Sequence, residues 1–214
     1  MLEGVDRGGS MYARVASFEN SDTSRFDELI ATVTERADAG QDLPDAKRVI
    51  MLADRATGRM LGITFFESEE AIRQAEPVFE RMGREIPEEL RGKRTSVAIY
   101  EAAIEDVADG ARAARVSSLE GATDSIDEGI RFIQQQIVPA ASDITGWRGV
   151  IALADRTNGR TLTITFWDSA DSLAASEAWA DQARAEAAAA MDETVAAVDR
   201  YEVALSRVLV GAPS

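Results

Sequence analysis

Two matching stretches decide the fold: residues 53–68 read ADRATGRMLGITFFES and residues 154–169 read ADRTNGRTLTITFWDS. They are separated by 101 residues, and the same separation relates residues 13–15 to 114–116 and residues 100–101 to 201–202. Because the matches run from the start to the end of each half, they predict a tandem duplication of one unit of roughly 100 residues. We assign residues 11–103 to the first unit, 104–112 to a connector and 113–208 to the second unit; residues 1–10 and 211–214 are predicted to be loose tails.

Hydrophobic periodicity predicts the element order βαββαβ in both units, which is the ferredoxin-like pattern of an α+β protein. The two central strands form an antiparallel hairpin whose turn carries Gly58 or Gly159, and Ser68 or Ser169 caps the second helix. The outer strands are predicted at residues 12–19 and 95–103 in the first unit and at 113–120 and 198–207 in the second; the first hairpin uses 47–55 and 59–66. The alanine-rich residues 170–195 are predicted as one long helix, whereas Pro77, Gly83 and Pro87 are expected to interrupt its counterpart.

The second strand of each unit predicts how the units meet. Residues 49–53 and 150–154 are apolar at every position, which indicates that both faces of the sheet are covered. Helices cover only one face of such a sheet, and the second unit is present at high effective concentration on the same chain. We therefore predict two ferredoxin-like repeats packed sheet to sheet as an intramolecular pseudo-dimeric α/β barrel, with further homo-oligomerisation left open.

The composition excludes several classes of function. The formal net charge is −15, so the surface field repels phosphate backbones and anionic membranes, and neither nucleic acid nor a membrane is an expected partner. No apolar run reaches the roughly 20 residues of a membrane span, and the first ten residues lack the apolar core of a signal peptide, which indicates a cytoplasmic protein.

Cysteine and histidine are both absent, which removes thiolate nucleophiles, the usual zinc or iron ligands and the Ser-His type of nucleophile activation. The sequence also contains no phosphate-binding loop, dinucleotide fingerprint, EF-hand or zinc-ligand spacing. We therefore expect no metal site and no cofactor.

The hairpin and the strand that follows it resemble a known family. The DRxxGR hairpin, residues 165–169 (TFWDS) and the stretch from Pro139 through residues 146–149 (GWRG) resemble the antibiotic biosynthesis monooxygenase-like domains of the dimeric α/β barrel superfamily. The resemblance covers nearly all of both units. It implies either a cofactor-independent oxygenase for polyphenolic or polyketide-like substrates, an isomerase or a haem-degrading enzyme. Haem-binding relatives usually hold iron through histidine, which this chain lacks.

The third strand of each unit supplies candidate pocket residues. One face carries Thr64 and Phe66 in the first unit and Thr163, Thr165 and Trp167 in the second; it either lines a pocket or packs against a helix. In haem-degrading relatives a tryptophan at the position of Trp167 shapes the pocket, and the first unit has Phe66 there. The resemblance therefore implies two unequal pockets.

Further candidates repeat between the units or cluster in one of them. Trp147, Trp167 and Trp179 all belong to the second unit, so a single functional pocket is expected there, although tryptophan also commonly fills a core. The full set of ligand-pocket candidates is Trp167, Thr165, Thr163, Trp147, Trp179, Arg115, Tyr201, Phe66, Thr64, Arg14 and Tyr100.

The repeated arginines and tyrosines each have two interpretations. Arg14 and Arg115 either hold an anionic substrate from buried positions or lie exposed at strand ends. Tyr100 and Tyr201 either donate a hydrogen bond to a substrate oxygen or maintain the fold. Together the candidates predict a pocket for a small apolar or aromatic molecule. Its function is expected to be cofactor-free oxygenation or, alternatively, non-catalytic ligand binding or a scaffold role; isomerisation and haem binding through tyrosine or methionine form a third possibility.

Overall fold

The elements of both units follow the predicted βαββαβ order along the chain. A computed structural model describes residues 11–39, 43, 45–190 and 192–209, and the predicted tails lie outside these ranges. The strands are β1 (Met11–Glu19), β2 (Ala46–Asp54), β3 (Arg59–Phe66) and β4 (Lys93–Val107) in the first unit, and β5 (Ala113–Gly121), β6 (Trp147–Asp155), β7 (Arg160–Trp167) and β8 (Glu193–Val208) in the second. The helices are α1 (Phe26–Ala39), α2 (Glu69–Glu85) and α3 (Glu88–Arg91), then α4 (Ile126–Phe132), α5 (Val138–Ser142), α6 (Ala170–Ala175) and α7 (Glu177–Ala190). A 3-10 turn (Thr23–Arg25) precedes α1, and a π-helical turn (Ile133–Ile137) joins α4 to α5.

The described strands form one closed barrel in the order β1-β3-β2-β8-β5-β7-β6-β4. Every neighbouring pair is antiparallel, including the pair of β1 and β4 that completes the ring. The two units meet at two strand pairs, β2 with β8 and β4 with β6. The predicted pseudo-dimeric α/β barrel is therefore confirmed, and its sheets join at their edges as well as sharing an interior.

The interior of the barrel is a single core built by both units. Its side chains include Ile50 and Phe65 from the first unit and Ile151 and Phe166 from the second, all fully buried. These residues lie on one face of each strand because side chains alternate along a strand. The helices cover the outer face, where separate apolar clusters form around Phe26 and Ile133. Both faces of β2 and β6 are thus shielded, as their sequences predict.

The hairpin turns form where the sequence places them. Gly58 and Gly159 have φ angles of 72° and 63°, which glycine adopts without the steric cost of a Cβ atom. The carboxylates of Asp54 and Asp155 each accept hydrogen bonds from two backbone N–H groups of their turn. Asp54 and Asp155 therefore stabilise the two turns in the same way.

The helices after the hairpins differ from the prediction. α2 runs without interruption through Pro77 and Gly83, because Pro77 lies on its exposed side and the helix ends only before Pro87. The expected long helix of the second unit is instead two helices that break at Ser176, and β8 starts at Glu193, within the range predicted as helix. Glu193 is drawn into the sheet by pairing with Gly121 of β5. The predicted N-caps Ser68 and Ser169 are confirmed, since each side chain accepts a backbone N–H bond.

The connector between the units is shorter than predicted. β4 continues to Val107, and residues 104–107 pair with β6, so only residues 108–112 link the units. None of the helices in the described part of the chain has both the length and the hydropathy needed to cross a bilayer.

Candidate functional site

The outer face of the third strand, which carries the predicted threonines, borders a cavity in each unit. In the first unit the cavity lies between the sheet and the helices and has a volume of about 460 Å³. In the second unit the corresponding cavity has a volume of about 50 Å³. Ligand sites for small molecules usually occupy roughly 300–1,000 Å³, so only the first of these two cavities is of that size.

The cavity of the first unit, called the first cavity below, has mostly apolar walls. Its apolar lining consists of Ala16, Phe18, Leu29, Val33, Leu43, Val49, Ile50, Met51, Met60, Leu61, Phe79, Met82 and Ile86. Gly62 of β3 opens space on the sheet side, because a Cβ atom there would meet only Phe18 Cε2, at 3.9 Å. Thr64 is the hydroxyl residue of the lining, and its hydroxyl has no hydrogen-bond partner among the described residues. The polar groups of the interior are therefore few and localised.

Arg14 forms the charged part of the cavity wall. It is only 3% exposed, and its Nε and Nη2 donate to the two carboxylate oxygens of Glu76, each at 2.9 Å. Its guanidinium carbon also lies 4.0 Å from the centroid of the Phe79 ring, and Phe66 packs edge-on against Phe79 at 6.3 Å. The hydrogen bond from Arg14 lowers the pKa of Glu76 against the opposing effect of burial. Arg14 and Glu76 thus form a neutral, two-point ion pair held in place by two aromatic rings.

The second unit has the equivalent pair, Arg115 and Glu177, but there the arginine also bonds to the helix that precedes Glu177. Arg115 is 1% exposed; its Nη2 donates to Leu173 O at 2.8 Å and to Ser176 Oγ at 3.0 Å, and it lies 3.2 Å from Glu177 Oε2. Arg115 therefore holds the break between α6 and α7 through its hydrogen bonds to Leu173 and Ser176. Burial lowers the pKa of Arg115, with the charge of Glu177 opposing the shift. Both arginines are buried, so the interpretation that they lie exposed at strand ends is wrong.

Larger side chains fill the space in the second unit. The position of Gly62 is taken by Thr163, that of Gly83 by Arg184 and that of Val78 by Trp179, and all three replacements line the small cavity. Arg184 bonds to Asp181 and reaches Ser117 Oγ at 3.4 Å. The larger of the two cavities is thus in the first unit, whereas we expected a single functional pocket in the second.

The remaining tryptophan and threonine candidates take up packing positions. Trp167 is fully buried, and its ring meets that of Trp147 edge-on with centroids 5.4 Å apart. Trp167 Nε1 donates to Thr165 Oγ1 at 3.2 Å, and Thr165 lines the small cavity together with Thr163 and Trp179. The structure brings these residues together, but in a region where little space is left.

The two repeated tyrosines lie inside the barrel. Tyr100 and Tyr201 belong to the shared core and do not line either cavity. Burial raises the pKa of Tyr100, and it raises the pKa of Tyr201 to about 12, so both phenols stay protonated at neutral pH.

Sequence reasoning missed Glu76 and Phe79, which complete the environment of Arg14. A signal for Glu76 was available: Glu177 follows it by 101 residues, in step with the pair Arg14 and Arg115. Phe79 had no such signal, because Ala180 stands at the equivalent position. Within the described residues, no group of three or more acidic side chains converges in a way that could hold a metal ion.

Sequence comparison finds two uncharacterized relatives of this chain. No protein-family model matches the chain. An uncharacterized protein of Mycobacterium tuberculosis is 26% identical over 178 residues, which span 79% of this chain and 76% of that protein. A second uncharacterized protein of the same organism is 32% identical over 92 residues, 43% of this chain and 39% of that protein.

Solved structures cover almost the whole chain. An anthrone oxidase-like protein aligns with a TM-score of 0.64 at 16% identity, over 95% of this chain and 94% of its own. A proposed monooxygenase from Fusobacterium nucleatum aligns at 0.62 and 13% identity, over 95% and 97%. An uncharacterized ferredoxin-fold protein from Listeria monocytogenes, related to antibiotic biosynthesis monooxygenases, aligns at 0.52 and 11% identity, over 92% and 95%. The predicted resemblance to antibiotic biosynthesis monooxygenase-like proteins is therefore confirmed at the level of the fold, which is that of the dimeric α/β barrel.

Proposed function

We propose that the first cavity binds a small, largely apolar or aromatic molecule and that the protein oxygenates it without a cofactor. The observation that carries the proposal is a cavity of about 460 Å³ whose mostly apolar walls include one unbonded hydroxyl, that of Thr64, beside the ion pair of Arg14. Such a combination excludes water from the body of a ligand and fixes its orientation through a small number of polar contacts. The solved neighbour described as anthrone oxidase-like guides the choice of substrate class.

The chemistry of this proposal resides in an electron-rich substrate. An activated CH₂ group, such as that of an anthrone, loses one proton to water and gives a carbanion whose negative charge is shared with the ring oxygen, as in a phenolate. The carbanion transfers electrons to dioxygen and forms a C–O bond, and the peroxide anion takes a proton back from water. The resulting hydroperoxide then loses water to leave a ketone. One CH₂ group and one O₂ molecule thus give one C=O group and one H₂O. Carbon is oxidised and dioxygen is reduced.

The protein contributes positioning and electrostatics. In this proposal the Thr64 hydroxyl donates a hydrogen bond to the oxygen on which negative charge accumulates, an interaction that strengthens where water is excluded. Arg14 and Glu76 give the wall a fixed dipole without adding net charge, and Phe79 covers the guanidinium. A bound substrate is therefore oriented and desolvated in one step.

One ligand per chain is expected, because the second cavity has a volume of only about 50 Å³. A ligand titration should therefore saturate at one equivalent per polypeptide. Two equivalents would require the second unit to open.

Measurement of oxygen uptake with anthrone-type and polyphenolic substrates tests the proposal, with anaerobic incubations for comparison. Thr64→Val keeps the shape of the side chain but removes the hydroxyl, and should lower kcat about a hundredfold, as loss of an oxyanion donor does. Thr165→Val makes the same change at the equivalent position of the second unit and should leave kcat unaltered. Equal turnover with and without dioxygen, or equal effects of the two substitutions, would contradict the proposal.

A non-catalytic ligand-binding role is the second candidate. It is favoured by the state of the carboxylates that line the first cavity: Glu80 is paired with Arg94 at 2.5 Å, and Glu88 lies 3.8 Å from Arg91. Neither is an unpaired base. Stoichiometric binding without oxygen uptake would identify this role.

A further inference from the structure

A group of basic side chains lies at the edge of the first cavity, in a chain that carries 38 acidic and 23 basic residues. Arg84, Arg91 and Lys93 line the cavity; Arg84 and Lys93 are exposed and Arg91 is half-buried. We call these three residues the cationic edge. Since the protein as a whole is strongly acidic, a local excess of positive charge around an apolar cavity is not expected from composition alone.

The charges of the cationic edge are only partly compensated by the protein. Arg91 is held by backbone carbonyls: it donates to Gly83 O at 2.9 Å, to Ile86 O at 3.2 Å and to Gly92 O at 2.8 Å. Its nearest acidic partner is Glu88, at 3.8 Å. Among the described residues, neither Arg84 nor Lys93 has a carboxylate within ion-pair distance. Carbonyl groups orient a guanidinium without cancelling its charge, so the edge keeps a positive field.

The cationic edge has no counterpart in the second unit. At a separation of 101 residues, Arg84 is replaced by Ala185, Arg91 by Asp192, Lys93 by Thr194 and Arg94 by Val195. The strand register supports this alignment, because Glu19 pairs with Lys93 in the first unit as Glu120 pairs with Thr194 in the second. The second unit therefore lacks cations at these four positions, and it also lacks the large cavity. The charges of Arg84 and Lys93, which have no ion-pair partner among the described residues, thus occur together with the large cavity.

Inside the cavity the charge of Arg14 is already neutralised by Glu76 through two hydrogen bonds. A ligand anion therefore gains most from the cationic edge, where charge is uncompensated, while its apolar body fits the interior. This arrangement is complementary to a molecule with an anionic group at one end and an apolar or aromatic body at the other.

From these observations, and resting on the proposed function of the first cavity, we infer that the ligand is an amphipathic monoanion such as an aromatic carboxylate. Its apolar body lies against the cavity walls and its anionic group lies at the cationic edge. Because the edge is near solvent, the attraction is screened by salt and also raises the rate of association.

Two fluorescent probes with the same aromatic body test this inference: anilinonaphthalene sulfonate, which carries an anionic group, and the neutral phenylnaphthylamine. The double variant Arg84→Gln with Lys93→Gln should weaken sulfonate binding roughly tenfold at low salt and leave the neutral probe unchanged, in line with the size of partly exposed charge interactions. Added salt should weaken sulfonate binding to the natural protein more than to the double variant. The matched control, Arg131→Gln with Arg160→Gln, removes two charges from the second unit and should have no effect.

Gly62→Val serves to locate the binding. If both probes lose affinity in Gly62→Val, they occupy the first cavity; if only the sulfonate responds to the double variant, the inference holds. If both probes bind in a Gly62-dependent manner but the double variant leaves the sulfonate affinity unchanged, the inference is overturned while the proposed function stands. If neither probe responds to Gly62→Val, both are overturned.

Discussion

Filling the first cavity from the sheet side should stabilise the protein and at the same time abolish ligand binding. Gly62 pairs with Ala16 on one side and Met51 on the other, and its Cβ position faces free space, with Phe18 Cε2 at 3.9 Å as its nearest neighbour. Gly62→Val therefore adds a branched side chain that suits a strand and meets no backbone atom.

The expected gain follows from two contributions. Replacing a strand glycine restricts the unfolded chain and improves strand propensity, which is worth up to about 1 kcal/mol. The added methyl groups contact the cavity walls, and each buried CH₂-sized group contributes about 0.8 kcal/mol. We expect a net gain of about 1–2 kcal/mol after some loss to imperfect fit, equivalent to a rise in Tm of roughly 2–8 °C for a chain of this size.

Urea denaturation and calorimetry measure the stability, and titration with the neutral aromatic probe measures the binding. The reciprocal variant Thr163→Gly enlarges the small cavity of the second unit and should lower stability by a similar amount without affecting the probe. The reasoning is refuted if Gly62→Val lowers Tm, because the space would then be occupied. It is equally refuted if the variant binds the probe as tightly as the natural protein.

Three other substitutions test the fold and its electrostatics. Burial raises the pKa of Glu193, although the Thr161 hydroxyl opposes the shift, so the folded protein prefers the protonated form and loses stability as pH rises through the folded-state pKa. Glu193→Gln removes this loss, and its advantage in unfolding free energy over the natural protein should grow as the pH rises above the ordinary range of a glutamate carboxyl and level off once Glu193 has ionised in the folded protein; a constant or shrinking advantage would contradict the assignment. Gly149 has a φ angle of 123° and a Cβ there would lie 2.0 Å from the backbone oxygen of Asp106, so Gly149→Ala should destabilise the junction of β4 and β6 by about 1–3 kcal/mol in urea denaturation. Gly83 has open space around its Cβ position within a helix, and Gly83→Ala should raise the unfolding free energy by about 1 kcal/mol; a loss would show that the position is constrained.

The barrel could be predicted from the sequence because its determinants are local and repeated. Alternation of apolar residues, the Thr57-Gly58 and Asn158-Gly159 turns and the serine caps each act over a few residues, and each occurs twice at the same separation. The all-apolar second strands added the one long-range requirement, that both sheet faces be covered. Strand ends were less predictable: β4 and β8 are longer than their patterns indicate because pairing with a neighbour extends them.

The position of the cavity could not be predicted in the same way. It depends on residue size at three equivalent positions of the two units: Gly62 and Thr163, Gly83 and Arg184, and Val78 and Trp179. At each position the smaller residue is in the first unit, and the larger one fills the space in the second. The tryptophans of the second unit indicated pocket walls, yet Trp179 takes up the space and Trp167 is sealed in the core. The burial of Arg14 could not be predicted from the sequence either, because it depends on an ion pair with Glu76, which lies on a helix more than 60 residues away along the chain.

Joining β2 to β8 and β4 to β6 within one polypeptide has a genetic consequence. When two identical subunits form such a barrel, every mutation is made twice, and a change that improves one half must be tolerated by the other. A fused gene removes that restraint, so the two halves can change independently. One half can then fill its cavity with larger side chains, while the other keeps or acquires a binding cavity. The contrast between Gly62 and Thr163 at matched positions is what such a division of labour would leave behind.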